Sequence, residues 1–271
     1  MAHGGESEWN LLAEEAVAAV AKEYPTEIAF GMARADTLQK AVNRLEKRRV
    51  RRIAVVRLFL SGDSFLGRTE KILGTVAGAQ ERPKKWDHSG HAGHSMHMDP
   101  RTMPLWKVHT QSRFSITREG LLDGPTGEAI LVKRARTLSR DPSLESVLLL
   151  AHGVGHDRAD QMWRKRMEPA AKAIRRVLPF HTVKALTMRD DWPKKRDLAR
   201  REIRMFVNRE RDAGRRVLVI PYRLSGFGPQ ASMLDRLEIV MDGKGLLPDP
   251  SIGDWMLDQA DAAIRSAGWD G

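Results

Sequence analysis

The sequence predicts an α/β protein that consists of two similar halves, each a parallel sheet flanked by helices. Three landmarks recur in the same order: the tripeptide Ala-His-Gly, an apolar run that ends in Leu-Ser-Gly, and a Gly-Leu-Leu segment that leads to a proline. They occupy residues 2–4, 53–62 and 120–125 in the first half and residues 151–153, 217–226 and 245–250 in the second. Matched landmarks in a fixed order indicate an internal duplication. Strand-like apolar runs also alternate with helical patterns, which is typical of parallel sheets covered on both faces.

Hydrophobic periodicity predicts the elements of the first half. Helices are expected over residues 11–22, 37–48, 65–73 and 126–138, and strands over residues 27–30, 52–60 and 113–117. The run over 52–60 is almost continuously apolar, which is typical of a strand that is buried on both faces.

The second half repeats this plan. Strands are expected over residues 146–150, 182–186, 217–220 and 237–241, and helices over residues 158–177, 192–212 and 252–267. The turn sequence Asp-Pro-Ser at 141–143 is the expected join. The predicted domains are therefore residues 1–141, with an insertion at about 80–110, and residues 142–271.

The two halves differ at their beginnings. A full strand precedes Ala-His-Gly in the second half, whereas only Met1 precedes it in the first. By the usual length of a strand, the duplication predicts about five more residues upstream. We expect a cytoplasmic protein. A periplasmic or secreted location is the alternative if an upstream signal peptide is missing from this chain.

Composition narrows the choice of partner. The chain has 46 basic and 35 acidic residues, and its net charge of +11 favours an anionic partner, either nucleic acid or an acidic small molecule. Nucleic acid is disfavoured, because no helix-turn-helix, zinc-finger or aromatic-basic motif occurs. No apolar run reaches the ~20 residues that span a bilayer. The absence of cysteine excludes disulfides and thiolate metal sites.

Each Ala-His-Gly places a histidine, His3 or His152, where a strand runs into a helix. Ligands of open α/β folds bind just past the carboxyl ends of the strands. A neutral imidazole there can ligate a borderline metal ion, and it exchanges protons near neutral pH. His3 and His152 are therefore predicted catalytic and metal-binding residues.

A second group of histidines recurs at every third position among Gly and Ser. It consists of His88, His91, His94 and His97. The segment has no hydrophobic periodicity and no counterpart in the second half, so it is interpreted as an insertion that binds metal. Imidazoles with nearby methionines suit nickel, cobalt, zinc or copper. A polar loop with incidental histidines is the alternative.

His156 is one further candidate metal ligand. It follows His152 by four residues, a spacing that places both on one face if the helix begins early enough.

Residues 29–38 (AFGMARADTL) and 51–62 (RRIAVVRLFLSG), which follow a strand ending in His-Gly and a long helix, carry a family resemblance. This order resembles the class II tetrapyrrole metal chelatases, which include sirohydrochlorin cobaltochelatase, sirohydrochlorin ferrochelatase and protoporphyrin ferrochelatase. The resemblance covers nearly the whole chain, because the pattern occurs once in each half. It implies two α/β halves with a cleft between them, in which His3 and His152 bind the incoming metal or accept a pyrrole proton.

The sequence also departs from the family pattern. Asp63 and Ser64 stand where family members usually carry a second histidine after Leu-Ser-Gly, and they are the expected replacement metal ligands. In both halves a methionine stands where a carboxylate often follows the second strand. These residues are Met32 and Met188, which we expect to line the substrate site.

Two arginines lie beside the Leu-Ser-Gly loops, Arg57 in the first half and Arg223 in the second. Under the resemblance they are expected to meet the propionate and acetate groups of the substrate, because Arg forms charge-assisted hydrogen bonds with carboxylates.

The expected function is that of a metal chelatase, a lyase of cobalamin or siroheme biosynthesis. It would insert divalent Co, Fe or Ni into sirohydrochlorin or a related acidic tetrapyrrole, with the metal as substrate and no organic cofactor. The alternative is a non-enzymatic metal-binding or delivery protein on a degenerate chelatase fold. The expected partner is the tetrapyrrole alone, without nucleic acid or a membrane span, and the protein is expected to be a monomer or homodimer.

Overall fold

Helices and parallel strands alternate along the chain in a computed structural model that describes residues 1–83 and 103–269. In chain order the elements are α1 (Ser7–Glu23), α2 (Ala35–Lys47), β1 (Arg52–Val55), α3 (Leu66–Leu73), β2 (Arg113–Ile116), α4 (Pro125–Leu138), β3 (Glu145–Ala151), α5 (Asp157–Val177), β4 (Thr182–Thr187), α6 (Pro193–Asp212), β5 (Arg216–Pro221) and α7 (Ser251–Ser266). Two 3₁₀ segments, Pro142–Leu144 and Gly228–Leu234, complete the description. The predicted α/β class is confirmed, and the predicted helices lie within a few residues of the observed ones.

The chain divides into two compact units, Met1–Leu121 with Pro250–Gly271 and Leu122–Asp249. These units differ from the predicted halves, 1–141 and 142–271, because the last helix of each half belongs to the other unit. Helix α4 packs against α5 and β5 in the second unit, and α7 packs against α1, β1 and β2 in the first.

The second unit is built on a three-stranded parallel sheet in the order β4-β3-β5. Strand β3 lies in the middle and is buried along its whole length, which explains its continuous apolar sequence. Its register pairs Ala151 with Thr187 on β4 and Leu150 with Pro221 on β5. The carboxyl ends of β3 and β4 therefore lie side by side at one edge of the sheet.

The first unit has a smaller paired sheet, in which β1 runs parallel to β2. Ala2 forms single parallel bridges to Phe30 and to Leu58. The amphipathic helix α2 buries its apolar face, which includes Leu38, Val42 and Leu45, in the core of this unit.

Three predicted strands are shorter than expected. Residues 27–30 make a ladder contact only at Phe30, and residues 237–241 only at Val240, which bridges Leu218. The predicted strand 52–60 pairs as β1 only to Val55. Beyond it, the backbone N–H of Arg57 donates to the Thr117 hydroxyl instead of to a neighbouring strand.

In the part of the chain that the structure describes, no helix combines the length and apolar character needed to cross a membrane.

Candidate metal centre

His152 immediately follows β3 and opens the turn into α5. Its Nδ1 lies 2.7 Å from the carbonyl oxygen of Gly153. Because a carbonyl oxygen only accepts hydrogen bonds, Nδ1 carries the proton and donates it. The ring is thereby fixed in orientation, and Nε2 is the nitrogen that it presents for a ligand.

Two carboxylates that follow β4 meet this nitrogen. Nε2 of His152 lies 3.1 Å from Oδ2 of Asp191 and 3.8 Å from Oδ1 of Asp190. One ligand atom from each of the three residues lies within 4.8 Å of the others. This convergence follows from the pairing of β3 with β4, because the carboxyl ends of neighbouring parallel strands lie at one edge of the sheet.

The two carboxylates have different surroundings. The side chain of Asp191 is 42% exposed, whereas that of Asp190 is only 5% exposed. Oδ1 of Asp190 lies 3.5 Å from Nη1 of Arg223, which follows β5. Its Oδ2 is buried and has no hydrogen-bond partner among the described residues. A buried carboxylate oxygen without a partner is costly, and a bound cation would satisfy it.

The charges around His152 shift its pKa. Burial disfavours the protonated ring, but the hydrogen bond to Asp191 and the charge of Asp190 favour it. The Arg223 charge acts in the opposite sense, and the Gly153 carbonyl favours the cation. The net result is a pKa raised above the ordinary value. A metal ion therefore competes with a proton for Nε2 near neutral pH.

The turn that carries His152 is tightly packed. Gly153 has φ +76°, and a Cβ on it would lie 2.6 Å from Oδ1 of Asp160 and from Cβ of Thr187. Arg189 donates to the carbonyls of Val154 and Gly155 at 2.8 and 2.5 Å. This packing holds the histidine at the end of β3.

The first unit repeats the histidine turn. Nδ1 of His3 lies 2.7 Å from the carbonyl oxygen of Gly4, as in the second unit, and Gly4 has φ +77°. The duplication therefore extends to the local backbone. The carboxylates do not follow the same pattern. Ala2 bridges Phe30 as Ala151 pairs with Thr187, so Ala33 and Arg34 stand where the second unit has Asp190 and Asp191. Over residues 1–83 and 103–269, neither His3 nor Asp63 belongs to a cluster of three metal-ligating side chains.

Arg57 requires a correction. It was predicted to meet substrate carboxylates, but it is only 1% exposed. Its guanidinium donates to the carbonyls of Gly62 at 2.8 Å, Ser64 at 2.5 Å and Thr117 at 3.1 Å. Arg57 thus ties the loop after Leu-Ser-Gly to the end of β2, which is a structural role.

Two further predictions also need correcting. Met188, predicted to line the substrate site, is fully buried in the core of the second unit. His156 was expected to share a helix face with His152 only if the helix began early enough, but α5 begins at Asp157, so both histidines precede the helix. His156 lies outside the His152 cluster.

The remaining predicted site residues of the first unit differ in their exposure. Met32 and Ser64 are partly exposed and Asp63 is exposed, all in the first unit. His88, His91, His94 and His97 lie outside the described residues.

Asp190 and Asp191 are the residues that the sequence analysis missed. The signal was present, since two consecutive aspartates occur just past the predicted strand 182–186. The same rule about strand ends that selected His152 applies to them.

Comparison with known proteins supports the fold. No family model matches the chain, and no curated protein matches it. Among solved structures, the chain is similar to SirB from Bacillus subtilis with Fe³⁺, with a TM-score of 0.65 and 12% identity over 99% of this chain and 95% of that one.

A second similar structure is DR2241 from Deinococcus radiodurans, a multi-domain protein with structural similarity to chelatases and two additional novel domains. The TM-score is 0.51 and the identity 17%, over 95% of this chain and 52% of that one, so our chain spans about half of its length. The chain thus has an α/β fold of the chelatase type.

Proposed function

We propose that the protein is a metal chelatase that inserts divalent Co, Fe or Ni into sirohydrochlorin or a related acidic tetrapyrrole, and that His152, Asp190 and Asp191 hold the incoming ion. The observation that carries this proposal is the convergence of one imidazole nitrogen and two carboxylates within 4.8 Å at a strand-end edge. The fold similarity to SirB, whose structure contains Fe³⁺, supports it.

The donor set suits a metal that is a substrate. One nitrogen and two oxygens bind borderline divalent ions and leave coordination positions open. A closed set of four ligands would hold a structural ion, whereas an open set can pass the ion on. The buried Oδ2 of Asp190 supplies a donor that needs no displacement of an existing hydrogen bond.

The same residues suit the proton chemistry of insertion. Placing one dication in the macrocycle releases two pyrrole protons. Nε2 of His152 first acts as a ligand and, once the ion has left, becomes free to accept one of these protons. Because the carboxylates raise its pKa, the ring is a better base near neutral pH than an isolated imidazole.

In this proposal Arg223 binds the acidic substituents of the macrocycle. It lies next to Asp190, and its side chain is 17% exposed, in contrast to the buried Arg57. A guanidinium at this edge would pair with acidic substituents of the substrate. Met32, Asp63, Ser64 and His3 remain candidate residues of the first unit in this proposal, and the four histidines of the insertion remain candidates for metal supply.

Two measurements test the proposal: calorimetric titration with Co²⁺, and the absorbance change of sirohydrochlorin on adding Co²⁺ anaerobically. We expect His152→Ala and the double variant Asp190→Asn/Asp191→Asn each to lose at least ~10-fold in Co²⁺ affinity and in insertion rate. His156→Ala is the matched control, because it removes a nearby histidine outside the cluster, and it should behave like the unmodified protein. Equal affinities in all of these proteins would overturn the assignment of the site.

The alternative function is that of a metal carrier, which would bind the ion at the same site but would not act on the tetrapyrrole. The cluster itself favours this candidate too, because its three donors need no macrocycle to converge. Tight Co²⁺ binding at His152 with no spectral change of sirohydrochlorin would support a carrier and would contradict cobalt insertion into sirohydrochlorin.

A further inference from the structure

Arg189 joins the two turns that carry the three residues of the metal cluster. Its backbone N–H donates to the His152 carbonyl at 2.7 Å, which fixes it to the turn after β3. Its own carbonyl accepts from the Trp192 N–H at 3.2 Å, a bond that closes a β-turn with Asp190 and Asp191 at its centre. The position of Arg189 therefore determines where both carboxylates lie relative to the imidazole.

The side chain of Arg189 makes a second connection between these turns. Its Nε and Nη2 donate to the carbonyls of Val154 and Gly155 at 2.8 and 2.5 Å. Its stem packs against Gly153, because a Cβ on that glycine would lie 3.1 Å from Cγ of Arg189. One residue of the aspartate turn thus contacts three consecutive residues of the histidine turn.

The backbone conformation of Arg189 is unusual for its residue type. Its φ is +53°, in the left-handed region that favours glycine. A side-chain-bearing residue stays in this region where the surrounding contacts stabilise it. Here those contacts include the bonds of the guanidinium, which a glycine could not form. The arginine at this position therefore indicates a role for the side chain itself.

Two aspartates at the start of α5 offset the charge of Arg189. Its Nη2 lies 2.8 Å from Oδ1 of Asp157, and its Nε lies 3.8 Å from Oδ1 of Asp160. Asp160 is held in turn by the hydroxyl of Thr187 on β4, which donates to its Oδ2 at 2.8 Å. A cation near a metal site repels a dication, and these carboxylates weaken that repulsion. Arg189 can therefore connect the two turns at little electrostatic cost to metal binding.

A methionine occupies the corresponding position in the first unit. By the strand register that relates Ala2 to Ala151, Met32 stands where the second unit has Arg189. A thioether has no hydrogen-bond donor, so it cannot form the same bonds to backbone carbonyls. Among the residues that the structure describes, His3 belongs to no cluster of three metal-ligating side chains. The arginine and the metal cluster thus occur in the same unit.

We propose that Arg189 is a positioning residue of the metal cluster, which sets the separation of His152, Asp190 and Asp191 and thereby the affinity for a divalent ion. A guanidinium has no lone pair to offer a metal, so Arg189 acts through the two turns and not as a ligand. Residues outside the ligand set commonly orient the ligands in this way. The inference rests on the proposed metal site, but it does not depend on whether the ion passes to a tetrapyrrole.

The first test uses the variants Arg189→Gly and Arg189→Lys. Glycine suits the backbone angle but removes every side-chain contact, whereas lysine keeps the charge and loses the fork of donors. We expect both to lower Co²⁺ affinity at least ~10-fold in calorimetric titration. We also expect both to change the visible absorption spectrum of bound Co²⁺, which reports the arrangement of its ligands. Arg175→Lys is the matched control, because Arg175 donates to the Val183 carbonyl outside the cluster, and it should leave affinity and spectrum unchanged.

Melting temperatures of the same proteins separate positioning from stability. A purely structural role would lower the melting temperature and leave the affinity and spectrum of the folded protein unchanged, which would overturn the inference. The double variant Asp190→Asn/Asp191→Asn is the reference. If it loses affinity and the Arg189 variants do not, the inference is wrong and the metal site stands. If none of these variants loses affinity, the metal site is wrong and the inference fails with it.

The second test needs no metal. The backbone amide of residue 189 bonds to the His152 carbonyl, and its protection from hydrogen exchange should fall at least ~10-fold in both Arg189 variants. The amide of Tyr222, which bonds to the Leu150 carbonyl on the other side of β3, should keep its protection. Unchanged protection at residue 189, or an equal loss at Tyr222, would contradict a local role in holding the two turns together.

Discussion

His152 illustrates how one hydrogen bond decides what a side chain can do. The Gly153 carbonyl fixes the proton on Nδ1, so Nε2 alone faces the two aspartates. The side chain of Asp191 is exposed and that of Asp190 is buried, so solvent reaches one acidic neighbour of the ring and the protein encloses the other. The titration of this ring therefore reports on the whole cluster.

Substitutions at two neighbours should move the pKa of His152 in opposite directions. Asp191→Asn removes a hydrogen bond to the cation and should lower the pKa, whereas Arg223→Gln removes a repelling charge and should raise it. In the unmodified protein the raised pKa means that protonation of His152 stabilises the fold at low pH. This contribution declines as the pH rises through the raised pKa.

The measurement is an NMR titration of the imidazole protons of the metal-free protein between pH 5 and 9, a window of about two units on either side of neutrality. Lys184→Gln, which removes a charge outside the cluster, serves as the control and should leave the midpoint unchanged. Shifts in the same direction for both substitutions would exclude the assigned electrostatics.

At the scale of elements, the turns between strands and helices position the cluster. Helices were predictable because apolar residues recur at a helical period, as in α2 and α5. The cluster was only half predictable. His152 stands out in a repeated tripeptide, but Asp190 and Asp191 become its neighbours only when β4 pairs with β3. Arg57 was misassigned because burial depends on the loop that it holds.

A comparison of two glycines with the same backbone angle distinguishes the cost of a left-handed backbone from the cost of steric crowding. Gly153 and Gly214 both have φ +76°, but a Cβ on Gly214 would meet nothing within 4 Å, whereas one on Gly153 would lie 2.6 Å from Asp160 and Thr187. Gly214→Ala should therefore cost only the left-handed conformation, about 1 kcal/mol. Gly153→Ala should cost about 3 kcal/mol and should also weaken Co²⁺ binding, because the turn that carries His152 must move.

Urea unfolding measures the two costs, and calorimetry measures Co²⁺ affinity. If Gly153→Ala and Gly214→Ala lowered the free energy of unfolding equally, crowding at Gly153 would have no role.

At the scale of the whole molecule, the units do not follow the order of the chain. Duplication predicts a boundary at 141, but α4 packs in the second unit and α7 in the first. Sequence repeats mark equivalent segments and carry no information on which sheet a terminal helix covers. That choice is made by apolar packing, which becomes visible only in three dimensions.

This arrangement predicts which fragment folds. Residues 122–249 should unfold cooperatively and bind Co²⁺, because they contain β3, β4, β5 and the helix α4 that packs on α5. Residues 142–271 contain the same metal cluster but lack α4, and they should not unfold cooperatively. Circular dichroism during thermal unfolding distinguishes the two, and cooperative unfolding of the second fragment alone would contradict the assigned units.

The turn that orients the histidine occurs in both units, with the same Nδ1 to carbonyl distance and nearly the same glycine angle. The pair of aspartates, in contrast, joins the histidine in the second unit, while Ala33 and Arg34 stand at the corresponding positions of the first. The orientation of the imidazole is thus set by the backbone of the Ala-His-Gly turn and does not depend on acidic residues near the ring. In a duplicated chain the oriented imidazole is therefore shared by both copies. One copy can gain or lose the carboxylates without a change in the conformation of the turn.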